Sequence, residues 1–470
     1  MRKVGFACTT IFHYIHYKHI ANELESRGYV VEYIIFTPKL SDRYNRIFCY
    51  FKEHSIKFSD FEDIFLAEQF DVILAPYYLA GFQLLDKNIL KVRLMYGYAK
   101  DSWNYAEWNK GFDLVLAYGP YASKKLNQFT EVKNIGHPRF KDKYKENVVD
   151  ISGKIFTREG DKPILLYCPT WSDLSSLEKF MEKKEIFLED FTLLIKLHHG
   201  NSSSDLFNLS KAQNIYYFNE TTDLFDLLYL CDVILSDYSG SIFDAMLLRK
   251  PIVLLDSYDK DIKDSGYLNI SEMKNVAVYS QSHRDENNTS LDIKVRGVLP
   301  HARKISDVIE LIKNYSSGKD LPYEGLVKEL YSYQDNNAPI RAANAIDELI
   351  ENKKNYRKYG DDSFYLLNTI KINCFLNANN DQQIAIWGAG EMGQILYAWL
   401  KKQWKIDCFF DMDVTKQGKK INGISVKKID LSKKILITVA KYEIEIKDYL
   451  IKEGKREGID FISVFNRGEC

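Results

Sequence analysis

The chain has 470 residues, enough for roughly two to four domains. Hydrophobic residues make up 46% and aromatics 14%, which supplies packed cores and excludes a disordered chain. With 64 basic against 65 acidic residues the net charge is −1, which excludes a general nucleic-acid binder.

The N-terminal "MRKVGFACTTIF" reads as a first β-strand rather than a signal peptide, because its apolar run is short and His13 follows at once. "YKHIANELESRG" then reads as a helix stopped by Gly28. "VVEYIIF", "DVILAPY", "VRLMYG" and "DLVLAYG" are further strands, and strands alternating with helices imply βαβ units and a parallel sheet. A second α/β block starts at "KPILLYCPTW" and runs through "FTLLIKLHHG", "NIYYFN", "CDVILSD", "KPIVLLD" and "NVAVYS". A third starts at "QQIAIWGAGEMG". The expected domains are 1–148, 149–359 and 379–470, with 360–378 as a linker; the fold class is α/β, with three Rossmann-like parallel sheets. Cys8, Cys49, Cys168, Cys231, Cys374, Cys408 and Cys470 are scattered and never form a CxxC pair, so neither a disulfide framework nor a zinc site is expected. No run reaches the ~18 apolar residues of a membrane span. The expected location is the cytoplasm, extending to the inner membrane face.

Residues 235–256, "LSDYSGSIFDAMLLRKPIVLLD", place an acid and a small-residue turn where a strand meets a helix. Ligands of open parallel sheets bind beyond the carboxyl ends of the strands, and a helix that begins there directs free N–H groups at them. Ser239, Gly240 and Ser241 therefore fit a phosphate cradle. Asp237 is placed to orient the turn, and Asp244 to cap the helix or face a ribose. The plainer alternative is an ordinary helix cap.

"YCPTWSD", "LLIKLHHGN" and "LSDYSGSIFDAMLLRKPIVLLD" occur in this order, preceded by "NIGHPRFKD". The set resembles the CDP-glycerol glycerophosphotransferase family of teichoic acid primases and polymerases, over about residues 90–345. The resemblance implies a GT-B architecture, two Rossmann-like domains facing a cleft, and transfer of an alditol phosphate from a CDP-linked donor to a hydroxyl with CMP leaving. It carries diphosphate binding onto Ser239, Gly240 and Ser241, donor binding and charge stabilisation onto His198, and donor proximity onto Asp237 and Asp244. Thr170 and Trp171 match a turn lining the cleft, and Arg139 a position near the hinge. No metal and no cofactor are expected; the partners implied are a nucleotide-activated donor and a saccharide or lipid-linked acceptor, with peripheral membrane contact through the basic aromatic "KKNYRKYG" as an extension. A solvated helix end is the simpler account of that segment. Two other functions stay open: a glycosyltransferase using a nucleotide sugar, and a nucleotide-binding relative without turnover.

The family's His-Gly pair, whose histidine is the expected base, is here Tyr96-Gly97. A phenol with a reference pKa near ~10 is a poor base. His13, His16 and His19 lie in the expected loop and helix start after the first strand, and His16, then His13, are the candidate bases; packing or solvation is the alternative. Lys100, Asp101 and Trp103, in a segment dense in Tyr and Trp, fit either an acceptor surface or core filling.

In the third block "IAIWGAGEMG" fits GxGxxG at Gly388, Gly390 and Gly393, and Asp411 ends the next strand 23 residues after Gly388, placed for a ribose hydroxyl. The alternatives are a nucleotide or nucleotide sugar, a nicotinamide cofactor, and a docking module without ligand. The block resembles the small Rossmann-like modules attached to sugar-modifying enzymes.

Overall fold

The computed structural model describes residues 2–66, 70–99, 101–141, 148–151, 154–157, 162–171, 175–198, 214–256, 291–316, 321–352 and 367–465. Three sheets carry the fold. The first comprises β1 (Lys3–Cys8), β2 (Val30–Ile35), β3 (Phe58–Asp60), β4 (Val72–Ala75), β5 (Leu90–Leu94), β6 (Leu114–Ala117) and β7 (Glu131–Asn134), in the order 3-2-1-4-5-6-7. A hairpin of β8 (Val148–Ile151) and β9 (Lys154–Thr157) follows. The second sheet holds β10 (Ile164–Cys168), β11 (Thr192–Lys196), β12 (Ile215–Phe218), β13 (Val233–Ser236), β14 (Ile252–Leu255) and β15 (His301–Ala302), in the order 12-11-10-13-14-15. The third holds β16 (Ile384–Trp387), β17 (Ile406–Phe410), β18 (Lys420–Ile421), β19 (Ile424–Lys427), β20 (Lys434–Ile437) and β21 (Phe461–Ser463), in the order 18-19-17-16-20-21, with only β18–β19 antiparallel. Each sheet reverses direction beside its first strand, so each has a switch point: between β1 and β4, β10 and β13, and β16 and β20.

The strands are apolar on both faces because helices cover both. Val4, Phe6 and Cys8 of β1 pack on one side with the Ile11–Ser26 helix, while Ala7 faces the other. Leu165 and Tyr167 of β10 alternate in the same way with Ile164 and Leu166. One apolar cluster runs from the first domain into the second through Tyr98, Phe243 and Tyr331. Among the described residues no helix is long and apolar enough to cross a membrane.

Two expected boundaries move. The Ala338–Glu351 helix, assigned from sequence to the second domain, buries Ala342, Ala343, Ile346 and Leu349 against the first sheet's helical layer. Arg27 fixes it there through Asp347 at 2.8 Å. The expected linker 360–378 contains the Thr369–Ala378 helix, whose Ile372, Phe375 and Leu376 belong to the third core. Both misplacements have one cause: an amphipathic helix shows that it has an apolar face, and not which sheet covers it. The segments "NVAVYS" and "KKNYRKYG" lie outside the described residues.

The third domain is docked on the first. Its Glu391–Leu400 helix packs beside the Phe61–Leu66 helix, and Ile395 and Ala398 join the first domain's core. Gln394 holds the Lys39 backbone with its whole amide, accepting from the N–H at 3.0 Å and donating to the carbonyl at 3.1 Å. Gln83 does the same with Leu367, at 3.1 and 2.8 Å.

Candidate functional site

The carboxyl ends of the first two sheets face each other. Helices that follow first-domain strands reach across: Lys18 to Asp223 at 3.9 Å and Arg46 to Glu220 at 2.7 Å. Opposite the first domain's Ala99 lies Gly240, where a Cβ would come within 3.5 Å of the Ala99 Cβ. The Ser239–Ser241 turn therefore lies at the second sheet's switch point and on the interdomain cleft.

That turn is tightly tied. Ser236 Oγ donates to the Cys168 carbonyl at 2.6 Å and lies 3.3 Å from Ser241 Oγ. Ser241 donates to Ser239 Oγ through its hydroxyl at 3.0 Å and its N–H at 3.3 Å. Gly240 is right-handed helical at φ −63°, so backbone conformation does not require a glycine there.

Asp237 is fully buried and holds the neighbouring loop. It accepts from Thr170 N–H at 2.7 Å and from Ser176 N–H and Oγ at 2.8 and 2.9 Å. Burial raises its carboxyl to about 6, against the opposing pull of these donors. Asp237 thus shapes the cleft wall on which Thr170 and Trp171 lie. Trp171 stacks on His198 at 5.9 Å and 16°, at the carboxyl end of β11. His199 and Gly200 lie outside the described residues.

Asp244 does not face a ribose. It points into a buried cluster, accepting from Arg139 Nη2 at 3.2 Å with His137 Nε2 3.4 Å away. Arg139 also donates through Nη1 to Asp223 at 2.8 Å, and Asp223 caps the Leu224–Leu230 helix by accepting from Phe225 N–H at 3.0 Å. The guanidinium lies over the rings of Phe225 and Phe12, 4.4 and 5.1 Å from their centroids. Burial opposes ionisation of Asp223, but Arg139 and then Lys18 outweigh it and its carboxyl is lowered.

The histidine expectations need correction. Both candidates lie on the Ile11–Ser26 helix rather than in a cleft-facing loop, because "IFHYIHY" continues the helix toward its N-terminus. His16 is completely buried; its Nε2–H donates to the Met95 carbonyl at 2.8 Å, and its Nδ1 lone pair is enclosed with no hydrogen-bond partner. His13 is 3% exposed and accepts at Nδ1 from Thr9 N–H at 3.2 Å, so its neutral ring carries the proton on Nε2. Neither presents a basic nitrogen to an incoming hydroxyl. Tyr96 is no substitute, since burial raises its phenol further.

These imidazoles carry a pH dependence. Burial, then Arg139 and His137, push His16 well down; burial lowers His137; burial brings His19 to about 4. Unfolded imidazoles take up protons below about 6.5, whereas these stay neutral in the fold, so stability present above that pH is lost as pH falls toward 4. Thermal unfolding across this range should show Tm falling steadily, and His19→Gln should flatten the slope by up to about one proton. A Tm constant from pH 7 to pH 4.5 would contradict buried neutral imidazoles.

Sequence reasoning passed over three further residues. Asp223 was legible as a cap before "LFDLLYL"; His137 adjoins Arg139 but nothing in sequence pairs it with Asp244. Lys196, on the strand that delivers His198, is lowered to about 8 by burial.

In the third domain Gly388 has φ +117° and a Cβ there would meet Val439 at 2.6 Å; a Cβ at Gly393 would lie 1.8 Å from the Gly388 carbonyl oxygen. Asp411 directly follows β17 and accepts from Ala389 N–H at 3.0 Å and Asp413 N–H at 2.9 Å.

Two open parallel sheets of Rossmann-like strand order face each other across a cleft, and the second sheet brings a small-residue turn and a stacked His-Trp pair to it. Residues 100–346, just over half of the chain, match the family described as CDP-Glycerol:Poly(glycerophosphate) glycerophosphotransferase, and the chain belongs to it. It is 26% identical over 168 residues to the teichoic acid poly(glycerol phosphate) polymerase of Bacillus spizizenii, covering 32% of this chain and 42% of that protein. It is 31% identical over 140 residues to the teichoic acid glycerol-phosphate primase of Bacillus subtilis, covering 28% and 34%. The chain thus spans less than half the length of these relatives. A structure of the wall teichoic acid polymerase TagF soaked with CDPG aligns over 75% of this chain and 90% of that one, at 14% identity and a TM-score of 0.44.

Proposed function

We propose that the chain transfers an alditol phosphate, of the glycerol- or ribitol-phosphate type, from a CDP-linked donor to a hydroxyl of a saccharide or lipid-linked acceptor in surface-polymer synthesis. The observation that carries this reading is the family match over the second sheet, whose switch-point turn Ser239–Ser241 lies against Ala99 of the first domain. The acceptor hydroxyl attacks the β-phosphorus and CMP leaves with the electron pair of the broken P–O bond. Amides and hydroxyls of the turn hold the diphosphate, and His198, held flat by Trp171, donates to the oxygen on which charge grows. No metal is needed in this scheme. The protein is expected to work at the cytoplasmic face of the membrane.

The test is nucleotide release. Incubation with CDP-glycerol or CDP-ribitol should yield CMP, persisting in EDTA, with UDP- and CMP-sugars inert. Release of UDP, or of CMP only from a CMP-sugar, would instead identify a glycosyltransferase. The burial of His13 and His16, with the raised phenol of half-buried Tyr96, favours a second reading, donor binding without turnover. CDP-glycerol binding with no CMP release on any acceptor would establish it.

A further inference from the structure

We infer that the third domain holds a separate site for a nucleoside-diphosphate sugar, with the phosphates on the Gly388–Gly393 turn and the sugar against the aromatic loop of the first domain. This site is independent of the proposed donor site.

Three observations converge on it. The first is the fate of the three glycines. Gly388 and Gly393 are required by the fold itself, through positive φ and through contacts that leave no room for a Cβ. Gly390 is not: its φ is −88°, which any residue adopts, and a Cβ there meets nothing within 4 Å. A glycine that neither backbone nor packing requires, at the head of the Glu391–Leu400 helix, leaves open the space that an approaching phosphate needs.

The second is a cavity of about 790 Å³ at that place, within the size range of small-molecule sites. It lies beyond the carboxyl ends of β16, β17 and β20, at the third sheet's switch point, and Gly390, Asp411 and Thr438 line it. Asp411 accepts one backbone N–H on each oxygen, and Oδ2 also accepts from Lys416 Nζ at 3.3 Å, so Oδ1 retains a second lone pair for a hydroxyl of a ribose.

The third is the opposite wall, which belongs to the first domain. Tyr77, Trp103 and Trp108 line the cavity from the first domain. They are preset: Trp103 packs on Tyr77 at 5.2 Å and on Trp108 at 5.1 Å. Buried Arg93 fixes the segment by donating to the Pro76 and Asn104 carbonyls at 3.1 and 2.8 Å, under the Trp108 ring. Half-buried Trp103 offers a ring face to a saccharide, with buried Trp108 behind it and the Tyr77 hydroxyl held 2.9 Å from Thr9 Oγ1, and a bare nucleotide would leave that face uncovered. The docking through Gln394 and Gln83 holds both walls at a fixed separation.

The test is calorimetric titration of the full chain with UDP-, GDP-, ADP-, CDP- and dTDP-glucose, each beside its free nucleoside diphosphate, and with NAD⁺. At least one glucose adduct should bind with Kd below ~1 mM and more tightly than its parent diphosphate. Gly390→Val should weaken that binding about tenfold or more while the melting temperature holds, since its Cβ meets no protein atom. Trp103→Ala should reduce the advantage of the adduct over the diphosphate. The Ser239→Ala/Ser241→Ala double variant should leave binding within about twofold. The inference is overturned if no adduct binds, if NAD⁺ binds best, or if the serine variant abolishes binding that Gly390→Val spares.

Discussion

Replacing Arg139 by methionine is expected to lower unfolding stability by about 3–5 kcal/mol, the usual cost of removing one partner from a buried ionic cluster. Arg139 is 1% exposed, and Asp223 and Asp244 keep only 9% and 10% of their side chains accessible. Without the guanidinium both carboxylates remain in a poorly solvated site, with His137 3.4 Å from Asp244, and with the Phe225 N–H at 3.0 Å and the Lys18 ammonium at 3.9 Å left to Asp223. Lysine should rescue little, because one ammonium cannot reproduce a fork that reaches one acid through Nη1 and the other through Nη2. Asp244→Asn, which leaves the Asp223 pair intact, should cost less than Arg139→Met. Chemical denaturation of the three variants measures this ranking; a loss below about 1 kcal/mol for Arg139→Met would show that the cluster is effectively solvated.

The second large effect is catalytic. His198→Ala should reduce CMP release from the CDP-linked donor by about 100-fold or more, the range seen when one charge-stabilising donor is removed. The melting temperature should stay near that of the parent, since His198 is half-buried at a strand end and its ring packs on half-buried Trp171. Unchanged turnover removes His198 from the chemistry. An equal loss of melting temperature and activity would mean that it serves the fold alone.

The parts of this molecule written in local pattern could be read from sequence. Interior strands of parallel sheets are short unbroken apolar runs, so "PILLYC", "VILS", "IVLL" and "IAIW" announce themselves, and the small residues of Ser239–Ser241 and Gly388–Gly393 mark the turns after "VILS" and "IAIW". Pairings made at a distance could not be read. Asp244 finds Arg139 across 105 residues, and a carboxylate early in a helix looks the same whether it faces a ribose or a buried guanidinium. His13 and His16 misled for a related reason: nothing in "TTIFHYIHY" shows that the helix begins at Ile11 and turns both rings inward among Phe12, Tyr17 and Tyr118.

The return of the chain to the first sheet through Ala338–Glu351 has a mechanical consequence. The polypeptide enters the third domain only after it has left the second, and Gln394 and Gln83 anchor that domain to the first. The molecule is therefore a pair of unequal jaws, one made of two sheets and the other of one. The Gly390 cavity and its aromatic wall are thus built on the larger jaw alone, and the apolar seam through Tyr98, Phe243 and Tyr331 sets where that jaw holds them relative to the Ser239 turn of the smaller.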